Sequence, residues 1–471
     1  MRRLLLASAL LLAAWAVSSA AAPRAHGCAA TITPTTYEAM RDRTAYLFGE
    51  ELAGFNMIAP QDGFFGIPTV EEGPRADRGV TSDPYVPPVL LKSVGYIESA
   101  LAQAANSVPW GATGPTLISF DCGHGIMQIT SGMTNPDDGG WPSGRQSIIA
   151  THYVYNIARG SAILVDKWNY APEARPVVGL GNPTVVEDWY YALWGYNGFA
   201  STNNPITCCV DNTWPRTGYS CGPADDGYGH DRGDYPYQEL VYGCASRPPR
   251  VDGQALWTAP DVPYALPDVS NPTWRDPISN FPNSDLMDIG TPLPWHYDQT
   301  PEPAAGSAAY VLGSPSLSVS RSDVPVGSTE VTISNTGSGI LAWRAKPAQP
   351  WLHLNKQAGV ALGPGVPCSA GAPCDRSPTI KITVDPGASS GWVDVVSLTT
   401  WESRRISVVG GPVFDANCDG LTSSVDAALV LQFDAGLVNW LPCPVTADAN
   451  GDGWVDSLDA ALILQRVAGL I

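Results

Sequence analysis

The sequence has little positive charge. Lysine and arginine together number 26 in 471 residues, against 45 aspartates and glutamates, so the formal net charge is -19. Proteins that bind nucleic acids or anionic membrane surfaces need clusters of basic residues to pair with phosphates. The shortage of basic residues therefore argues against both kinds of partner.

Long apolar runs are missing after the N-terminus. Met1-Arg2-Arg3 precedes an apolar run over 4–17, which small residues follow at 18–20. This order is typical of a secretory signal peptide, and we place cleavage near Ala20, which makes 1–20 the signal peptide. The alternative is a single membrane anchor, for which the run is short. We expect the mature protein to be secreted and extracellular, with no membrane span.

No cysteine pair has the spacing, with histidines, of a zinc finger. All 10 cysteines follow the predicted signal peptide, and export permits disulfides. We predict the pairs Cys368–Cys374 and Cys418–Cys443. The pairing stays open among the other six, which are Cys28, Cys122, Cys208, Cys209, Cys221 and Cys244.

A buried helix is predicted to begin at Pro87-Pro88, because proline is accepted only in the first turn of a helix. Apolar residues then recur at helical spacing, at 90, 91, 94, 97 and 101. Glu98 falls within this apolar stripe. Burial would raise the pKa of its carboxyl towards the range that a general acid needs. The alternative is a glutamate at the edge of the stripe whose carboxyl reaches water.

Two more helices are predicted in this region. One begins at Trp141-Pro142-Ser143 and continues to Trp168. The other begins at Thr184, which forms a capping box with Glu187, and ends at Gly198.

Four short motifs follow one another in this part of the chain. They are Glu98-Ser99, the Gly-rich turn 123–129, the segment 156–164 of sequence Asn-Ile-Ala-Arg-Gly-Ser-Ala-Ile-Leu, and the segment 192–198 of sequence Ala-Leu-Trp-Gly-Tyr-Asn-Gly. Together they resemble the lysozyme-like superfamily, in particular lytic transglycosylases and goose-type lysozymes, over about residues 85–200. The resemblance implies a mainly α catalytic domain, which we place at 28–298 with a disulfide-rich extension after the core.

The resemblance also implies a function. The expected substrate is a β-1,4-linked N-acetyl-hexosamine glycan, most of all peptidoglycan. Glu98 would protonate the glycosidic oxygen and then act as base while the sugar's own groups close an anhydro ring, with no catalytic cofactor. Met127 and Gln128 would line the floor of the cleft, and Tyr196 and Asn197 would position substrate or hydrogen-bond Glu98.

The gap between Glu98 and the Gly-rich turn is longer than in typical members of the superfamily, so substrate preference stays open. This gap holds Trp110, Gly111 and Asp121. Asp121 is the candidate second carboxylate, which would position water and give hydrolysis instead of an anhydro product. The alternative is an aspartate that serves only the turn beside Gly123.

The middle of the chain changes character. Residues 299–313 are rich in proline and small residues and are predicted to be a linker. Alternating apolar residues with Gly, Pro, Asn and Ser turns then predict a two-sheet β-sandwich over 314–411. Segments 335–343 and 351–352 loosely resemble the Ig-like modules of secreted bacterial glycosidases, for which a spacer role and sugar binding both stay open.

The C-terminus contains an internal repeat with an offset of 33 residues. Each copy has Asp-x-Asn-x-Asp-Gly, a carboxylate at loop position 12, and a following Ala-Ala-Leu segment, which is calcium-loop chemistry rather than a simple acidic turn. The predicted ligands are Asp415, Asn417, Asp419, Leu421, Ser423 and Asp426 in the first loop, and Asp448, Asn450, Asp452, Trp454, Asp456 and Asp459 in the second.

Position 12 is Asp instead of the Glu of an EF-hand, and the entering helices are missing. Both features resemble dockerin domains, which hold two structural Ca²⁺ ions and bind a cohesin module of a scaffold protein. We therefore predict a small α dockerin over 412–471 and a scaffold-attached enzyme at the cell surface. The alternatives for the whole chain are a chitin hydrolase and a non-catalytic glycan-binding protein attached to the same scaffold.

Overall fold

The computed structural model describes Cys28 and residues 34–74, 77–81, 83–134, 143–174, 179–209, 218–222, 231–260, 310–366, 376–385, 390–409, 414–450 and 452–471. The predicted signal peptide, the first part of the predicted linker and the predicted Cys368–Cys374 pair lie outside these residues. As the sequence predicts, the described chain is multidomain and combines helices with several β-sheets and disulfides.

The described residues from 34 to 260 form a mainly helical unit. Its helices are α1 (Thr44–Gly54), α2 (Pro88–Ser99), α3 (Gly144–Thr151), α4 (Tyr153–Ala174), α5 (Tyr190–Tyr196) and α6 (Tyr237–Ser246). Its short strands are β1 (Thr35–Tyr37), β2 (Glu71–Glu72), β3 (Gly79–Val80), β4 (Thr113–Pro115), β5 (Arg250–Val251) and β6 (Gln254–Ala255), which pair as β1–β4, β2–β3 and β5–β6. Helix α2 packs against α1, α4 and α6, so it lies at the centre of the unit.

Two of the predicted helix boundaries are wrong. The helix expected from 141 to 168 is two helices, because His152 between them has an extended backbone (φ -132°, ψ 111°). The capping box at Thr184 does not form, since the Thr184 hydroxyl donates to Asn182 Oδ1 at 2.9 Å instead. A 3-10 turn, Val186–Trp189, follows there, and α5 begins only at Tyr190.

Residues 310–409 contain two sheets that face each other across one core. Their strands are β7 (Leu317–Val319), β8 (Asp323–Val324), β9 (Gly327–Asn335), β10 (Ile340–Pro347), β11 (Leu352–Leu354), β12 (Ala358–Leu362), β13 (Thr379–Val384), β14 (Ser390–Ser397) and β15 (Ser403–Val409). One sheet has the order β12-β10-β14-β15-β8, and the other has the order β11-β13-β9-β7. Neighbouring strands are antiparallel except for β8 and β15.

Strands β10 and β12 of the five-stranded sheet are buried on both faces. Side chains alternate between the faces of a strand, and in β10 they divide accordingly. Leu341 and Trp343 point into the core between the two sheets, whereas Ile340 and Ala342 belong to the core of the helical unit. This explains why β10 is apolar at successive positions instead of every second one.

The predicted linker ends in a packed segment. Tyr310 is buried, and its carbonyl accepts a hydrogen bond from Ala59 N at 2.6 Å. Tyr155 in α4 donates its hydroxyl to Val311 O at 3.0 Å, and Ile340 N donates to Leu312 O at 3.0 Å. Residues 310–312 therefore join the helical unit to the two-sheet unit through defined hydrogen bonds.

Residues 414–471 form a small helical unit with α7 (Ser424–Asp434), α8 (Pro444–Ala447) and α9 (Ser457–Val467). Ser423 with Asp426 and Asp456 with Asp459 make capping boxes at the starts of α7 and α9. The core between these helices is small and consists of Ala416, Ala427, Val430, Leu441, Ala447, Ala460 and Ile463.

Four disulfides occur in the described residues. Cys418–Cys443 is confirmed, and the six open cysteines pair as Cys28–Cys122, Cys208–Cys209 and Cys221–Cys244. Disulfides of this number are compatible with an extracellular protein. Within the described part of the chain, no helix combines the length and apolar character needed to cross a membrane.

Candidate active site

Glu98 lies near the C-terminal end of the central helix α2. Pro87 is the N-cap and Pro88 the first residue of the helix, as their fixed φ predicts. The helix ends where Ala100 adopts the left-handed conformation (φ 56°) and donates its N–H back to Tyr96 O at 2.8 Å. Because most of α2 is buried, Glu98 projects from a rigid support, and its side chain keeps partial access to solvent.

The Glu98 carboxyl is held in an environment that favours its neutral form. Burial raises its pKa from the ordinary value near 4.5 to about 7. A hydrogen bond from Tyr237 Oη to Glu98 Oε1, at 2.6 Å, opposes this shift, as does the charge of Arg232. The charge of Asp121 adds to it. A carboxyl with such a pKa is partly protonated at neutral pH and is able to donate a proton.

Side chains of other elements hold the backbone of the Gly-rich turn through hydrogen bonds. Asn156 in α4 donates Nδ2 to His124 O at 2.7 Å and accepts from Met127 N at 2.9 Å. Gln103 Oε1 accepts from Ile126 N at 3.1 Å. The asparagine of the third sequence motif therefore holds the backbone of the second motif, which accounts for their joint appearance in the sequence.

The predicted floor residues differ in exposure. Met127 is fully buried and packs on Gly160, where a Cβ would lie 2.7 Å from Met127 Cγ. It therefore lies beneath the floor and supports it. Gln128 is partly exposed at a left-handed backbone position (φ 45°), and its Nε2 donates to Gly125 O at 2.8 Å.

The two residues at the end of α5 make different contacts from one another. Tyr196 donates its hydroxyl to Met127 O at 2.8 Å, and the charge of Glu98 contributes to raising its pKa, after burial. Tyr196 thus lies near Glu98 while its hydroxyl holds the turn. Asn197 Oδ1 accepts from Asn203 Nδ2 at 2.6 Å. The hydrogen bond to Glu98 that we expected from this pair is made by Tyr237.

Asp121 lies at an exposed turn. Its Oδ1 accepts a hydrogen bond from the Ser119 hydroxyl, and the turn is closed by Cys122 N donating to Ser119 O at 3.1 Å. These hydrogen bonds support the interpretation that Asp121 serves the turn. Its electrostatic effect on Glu98 keeps the second interpretation open.

Tyr237 and Arg232 are site residues that the sequence analysis missed. Both follow the last resemblance motif, in a stretch with weak periodicity. Arg232 Nη2 donates to Ile97 O at 2.6 Å, next to Glu98. One signal for α6 was available, because Pro236 is followed by apolar residues at helical spacing, at 240, 241, 244 and 245.

The two C-terminal loops have matching internal hydrogen bonds. In the first, Asp415 accepts from Asp419 N at 3.2 Å and from Gly420 N at 2.9 Å, and Asp426 Oδ1 accepts from Ala416 N at 2.9 Å. The second repeats these contacts with Asp448, Asp452, Gly453, Ala449 and Asp459. Among the residues that the structure describes, no three His, Cys, Asp or Glu side chains converge as a preformed metal site.

Comparison with known proteins leaves the chain without an assigned family. No protein-family model matches it, and no curated protein matches it. Among solved structures, domains 4 and 5 of the S-layer protein SbsC share 8% identity over 21% of this chain and 53% of that chain, with a TM-score of 0.15. A Bacteroides ovatus GH5 xyloglucanase in complex with a XXXG heptasaccharide shares 16% identity over 25% of each chain, also with a TM-score of 0.15. TM-scores of this size carry no argument about fold or function.

Proposed function

We propose that the protein is a secreted enzyme that cleaves β-1,4-linked N-acetyl-hexosamine glycan, with peptidoglycan as the main substrate and Glu98 as the general acid. The observation that carries the proposal is the Glu98 carboxyl, which lies on a buried helix, accepts the Tyr237 hydroxyl at 2.6 Å and has its pKa raised by burial to about 7. A general acid works best when its pKa is near the pH of the reaction. The order of the four motifs around this carboxyl supports a lysozyme-like domain.

In the proposed reaction Glu98 donates its proton to the glycosidic oxygen as the bond to the sugar breaks. The Tyr237 hydroxyl keeps the carboxyl in one orientation and stabilises the carboxylate that remains after proton transfer. The carboxylate then accepts a proton from the attacking group. That group is a hydroxyl of the same sugar in the anhydro route, or a water molecule in the hydrolytic route, for which Asp121 is the positioning candidate.

Product masses test the proposal. The full-length mature protein is incubated with peptidoglycan and, separately, with chitin, and the released glycans are analysed by mass spectrometry. Anhydro ends on peptidoglycan fragments support the transglycosylase route, and reducing ends support hydrolysis. Preferred release from chitin would favour the chitin hydrolase, and retention of glycan without new ends would favour the non-catalytic binding protein.

The C-terminal unit is proposed to bind two structural calcium ions in the manner of a dockerin. Carboxylate, amide and hydroxyl oxygens alternate along both loops, and all-oxygen donor sets suit Ca²⁺. The donors would be the loop side chains and the backbone carbonyls of Leu421 and Trp454. Bound calcium would offset the repulsion among the carboxylates of each loop. Chelation is expected to lower the helicity and melting temperature of residues 412–471, and an unchanged melting curve would contradict this part of the proposal.

A repeated apolar surface supports a protein partner for this unit. Large hydrophobic side chains are exposed at equivalent positions of both repeats, which are Leu421 and Trp454, Val425 and Leu458, Leu431 and Leu464, and Leu437 and Leu470. Exposed apolar residues in such a small unit favour a docking surface, for which a cohesin module is the proposed occupant. Calcium-dependent binding to a cohesin panel tests this, with Val425→Asp and Leu458→Asp together expected to abolish binding. Binding that survives the double substitution would place the partner elsewhere.

A further inference from the structure

The turn between Ser119 and Cys122 is held by hydrogen bonds, a β-bridge and a disulfide. Ile118 and His124 pair as an antiparallel bridge, and Ser119 N donates to Gly123 O at 2.9 Å. The Ser119 hydroxyl accepts from Gly123 N at 2.8 Å. The disulfide Cys28–Cys122 ties the end of the turn to the N-terminal segment. This turn is therefore a rigid projection with two residues at its tip.

One of the two tip residues is an aromatic ring with no packing contacts. Phe120 is 101% exposed, the largest exposure among the hydrophobic side chains that the structure describes. The ring therefore adds no buried area to the folded chain, and its whole surface is available for contact with a ligand. The hydrogen-bonded turn fixes the backbone that carries the ring, so the ring is presented at one part of the surface.

The turn lies at the edge of the candidate active site. The Gly-rich turn that follows it packs on helix α2 one turn before Glu98, because a Cβ on Gly95 would lie 3.0 Å from Ile126 Cγ2. The charge of the other tip residue, Asp121, acts on Glu98. Gly123 also packs against Gln128, the predicted floor residue, because a Cβ on Gly123 would lie 2.7 Å from Gln128 Oε1. Phe120 is thus the neighbour of Asp121, whose charge acts on the acid, and lies three positions before the turn that carries Gln128.

We infer that Phe120 is a stacking platform for one sugar ring of the bound glycan, at the rim of the cleft. The inference rests on the proposed function. The faces of N-acetyl-hexosamine rings carry C–H groups, which pack on aromatic rings, while the hydroxyls stay in water. The long segment between Glu98 and the Gly-rich turn departs from typical lysozyme-like sequences. It thereby contributes an additional subsite, which binds a sugar of the glycan away from the bond that is cut.

Binding by an inactive variant tests this subsite without cleavage. In the full chain carrying Glu98→Gln, binding of a soluble β-1,4-linked N-acetylglucosamine hexamer and of insoluble peptidoglycan is measured at constant salt. Phe120→Ala is expected to weaken binding about tenfold, since the packing of one aromatic side chain is lost. Phe120→Trp is expected to retain or tighten it. Trp440→Ala is the matched control, because Trp440 is also exposed (68%) but belongs to the C-terminal unit, for which a protein partner is proposed, and it should leave glycan binding unchanged.

The readouts separate this inference from the proposed function. In the active enzyme Phe120→Ala should raise KM about tenfold for long substrates and leave kcat within about twofold. If the parent cleaves glycan but Phe120→Ala changes neither KM nor the binding of the inactive variant, the subsite is refuted while the enzyme proposal stands. If Phe120 affects binding but no new glycan ends form, the subsite stands and the enzyme proposal fails. Absence of binding to both glycans overturns the subsite.

Discussion

Two carboxyl groups lie beside the C-terminal part of helix α2. Glu98 is on the helix itself, and its side chain is partly accessible to solvent. Glu50 is on α1 and packs against α2 at Gly95, where a Cβ would lie 2.6 Å from Glu50 Oε1. Burial raises the pKa of both groups, that of Glu50 well above its usual value. A raised pKa by itself therefore does not distinguish the two.

The two groups differ in partners and access. Glu50 is fully buried, and neither of its oxygens has a hydrogen-bond partner within the described structure. The nearby Lys92 lowers the pKa of Glu50 but forms its ion pair with Glu51, at 2.8 Å. Glu98 retains solvent access and has a hydroxyl donor at 2.6 Å. The comparison teaches that a general acid needs burial combined with an opening and an orienting donor, whereas burial alone produces only a destabilising group.

The largest effect is expected from exchanging the two acids for amides. Glu98→Gln removes the transferable proton and should lower kcat about a thousandfold, within the range for loss of a general acid. Glu50→Gln should leave kcat within about threefold, because Glu50 is fully buried and does not contact a bound substrate. Glycan release measured with both purified variants checks the contrast. Comparable losses in both, with both variants folded, would make the distinction between the two carboxyls wrong.

The second effect concerns stability. Glu50→Met should raise the free energy of unfolding at pH 7 by about 1–3 kcal/mol, because it removes a buried polar group without a partner. A carboxyl with a raised pKa in the folded state binds its proton more tightly there, so its contribution to stability is lost as pH rises above its unfolded pKa of about 4.5. The advantage of Glu50→Met should therefore shrink towards pH 4.

Urea unfolding at pH 7 and pH 4.5, followed by tryptophan fluorescence, measures this difference. Glu51→Gln on the same helix is the contrasting variant, since it leaves the largely buried Lys92 without its ion-pair partner and should lower the free energy of unfolding. A Glu50→Met variant that is less stable than the parent at pH 7 would mean that the carboxyl has an unseen favourable role.

Of the two carboxyl groups compared above, the sequence singled out only Glu98. Pro87-Pro88 and the apolar stripe predicted α2 and the burial of Glu98, because helix starts and periodicity are local signals. The repeat at 33 residues and the Cys418–Cys443 pair were also readable from spacing. Glu50 was not singled out, because nothing local shows that Gly95 leaves room for its carboxyl.

The hydrogen-bond donor to Glu98 could not be predicted from the sequence, for a different reason. Tyr237 lies 139 residues away in sequence, in a region of weak periodicity, and only the packing of α6 on α2 brings the two together. Likewise, the motif residue Tyr196 predicted proximity to the acid, but its hydroxyl bond to Met127 O depends on the path of the Gly-rich turn. Sequence identifies the chemistry of such residues, and tertiary packing decides which of them makes the contact.

The third effect tests the orienting donor. Tyr237→Phe removes the hydrogen bond that stabilises the Glu98 carboxylate, so the pKa of Glu98 should rise above about 7. The alkaline limb of the kcat profile should then move to higher pH, while kcat at its optimum falls about tenfold because the carboxyl is less well oriented. Tyr242→Phe on the same helix is the control, since its hydroxyl bonds Val186 O and Glu187 O instead. An alkaline limb that does not move would show that Tyr237 has no effect on the pKa of Glu98.

The smallest effect distinguishes the two interpretations of Asp121. Its charge contributes to the raised pKa of Glu98, so Asp121→Asn should lower that pKa and move the alkaline limb to lower pH, by less than one unit and opposite to Tyr237→Phe. Because Asn also accepts the Ser119 hydroxyl, the turn should survive. If Asp121 instead positions the attacking water, kcat should fall a hundredfold or more throughout the pH range, on the order expected for a lost catalytic carboxylate. Paired pH profiles of the two variants therefore decide whether Glu98 works with a second carboxylate or, as its neighbours favour, with a hydroxyl donor and a distant charge.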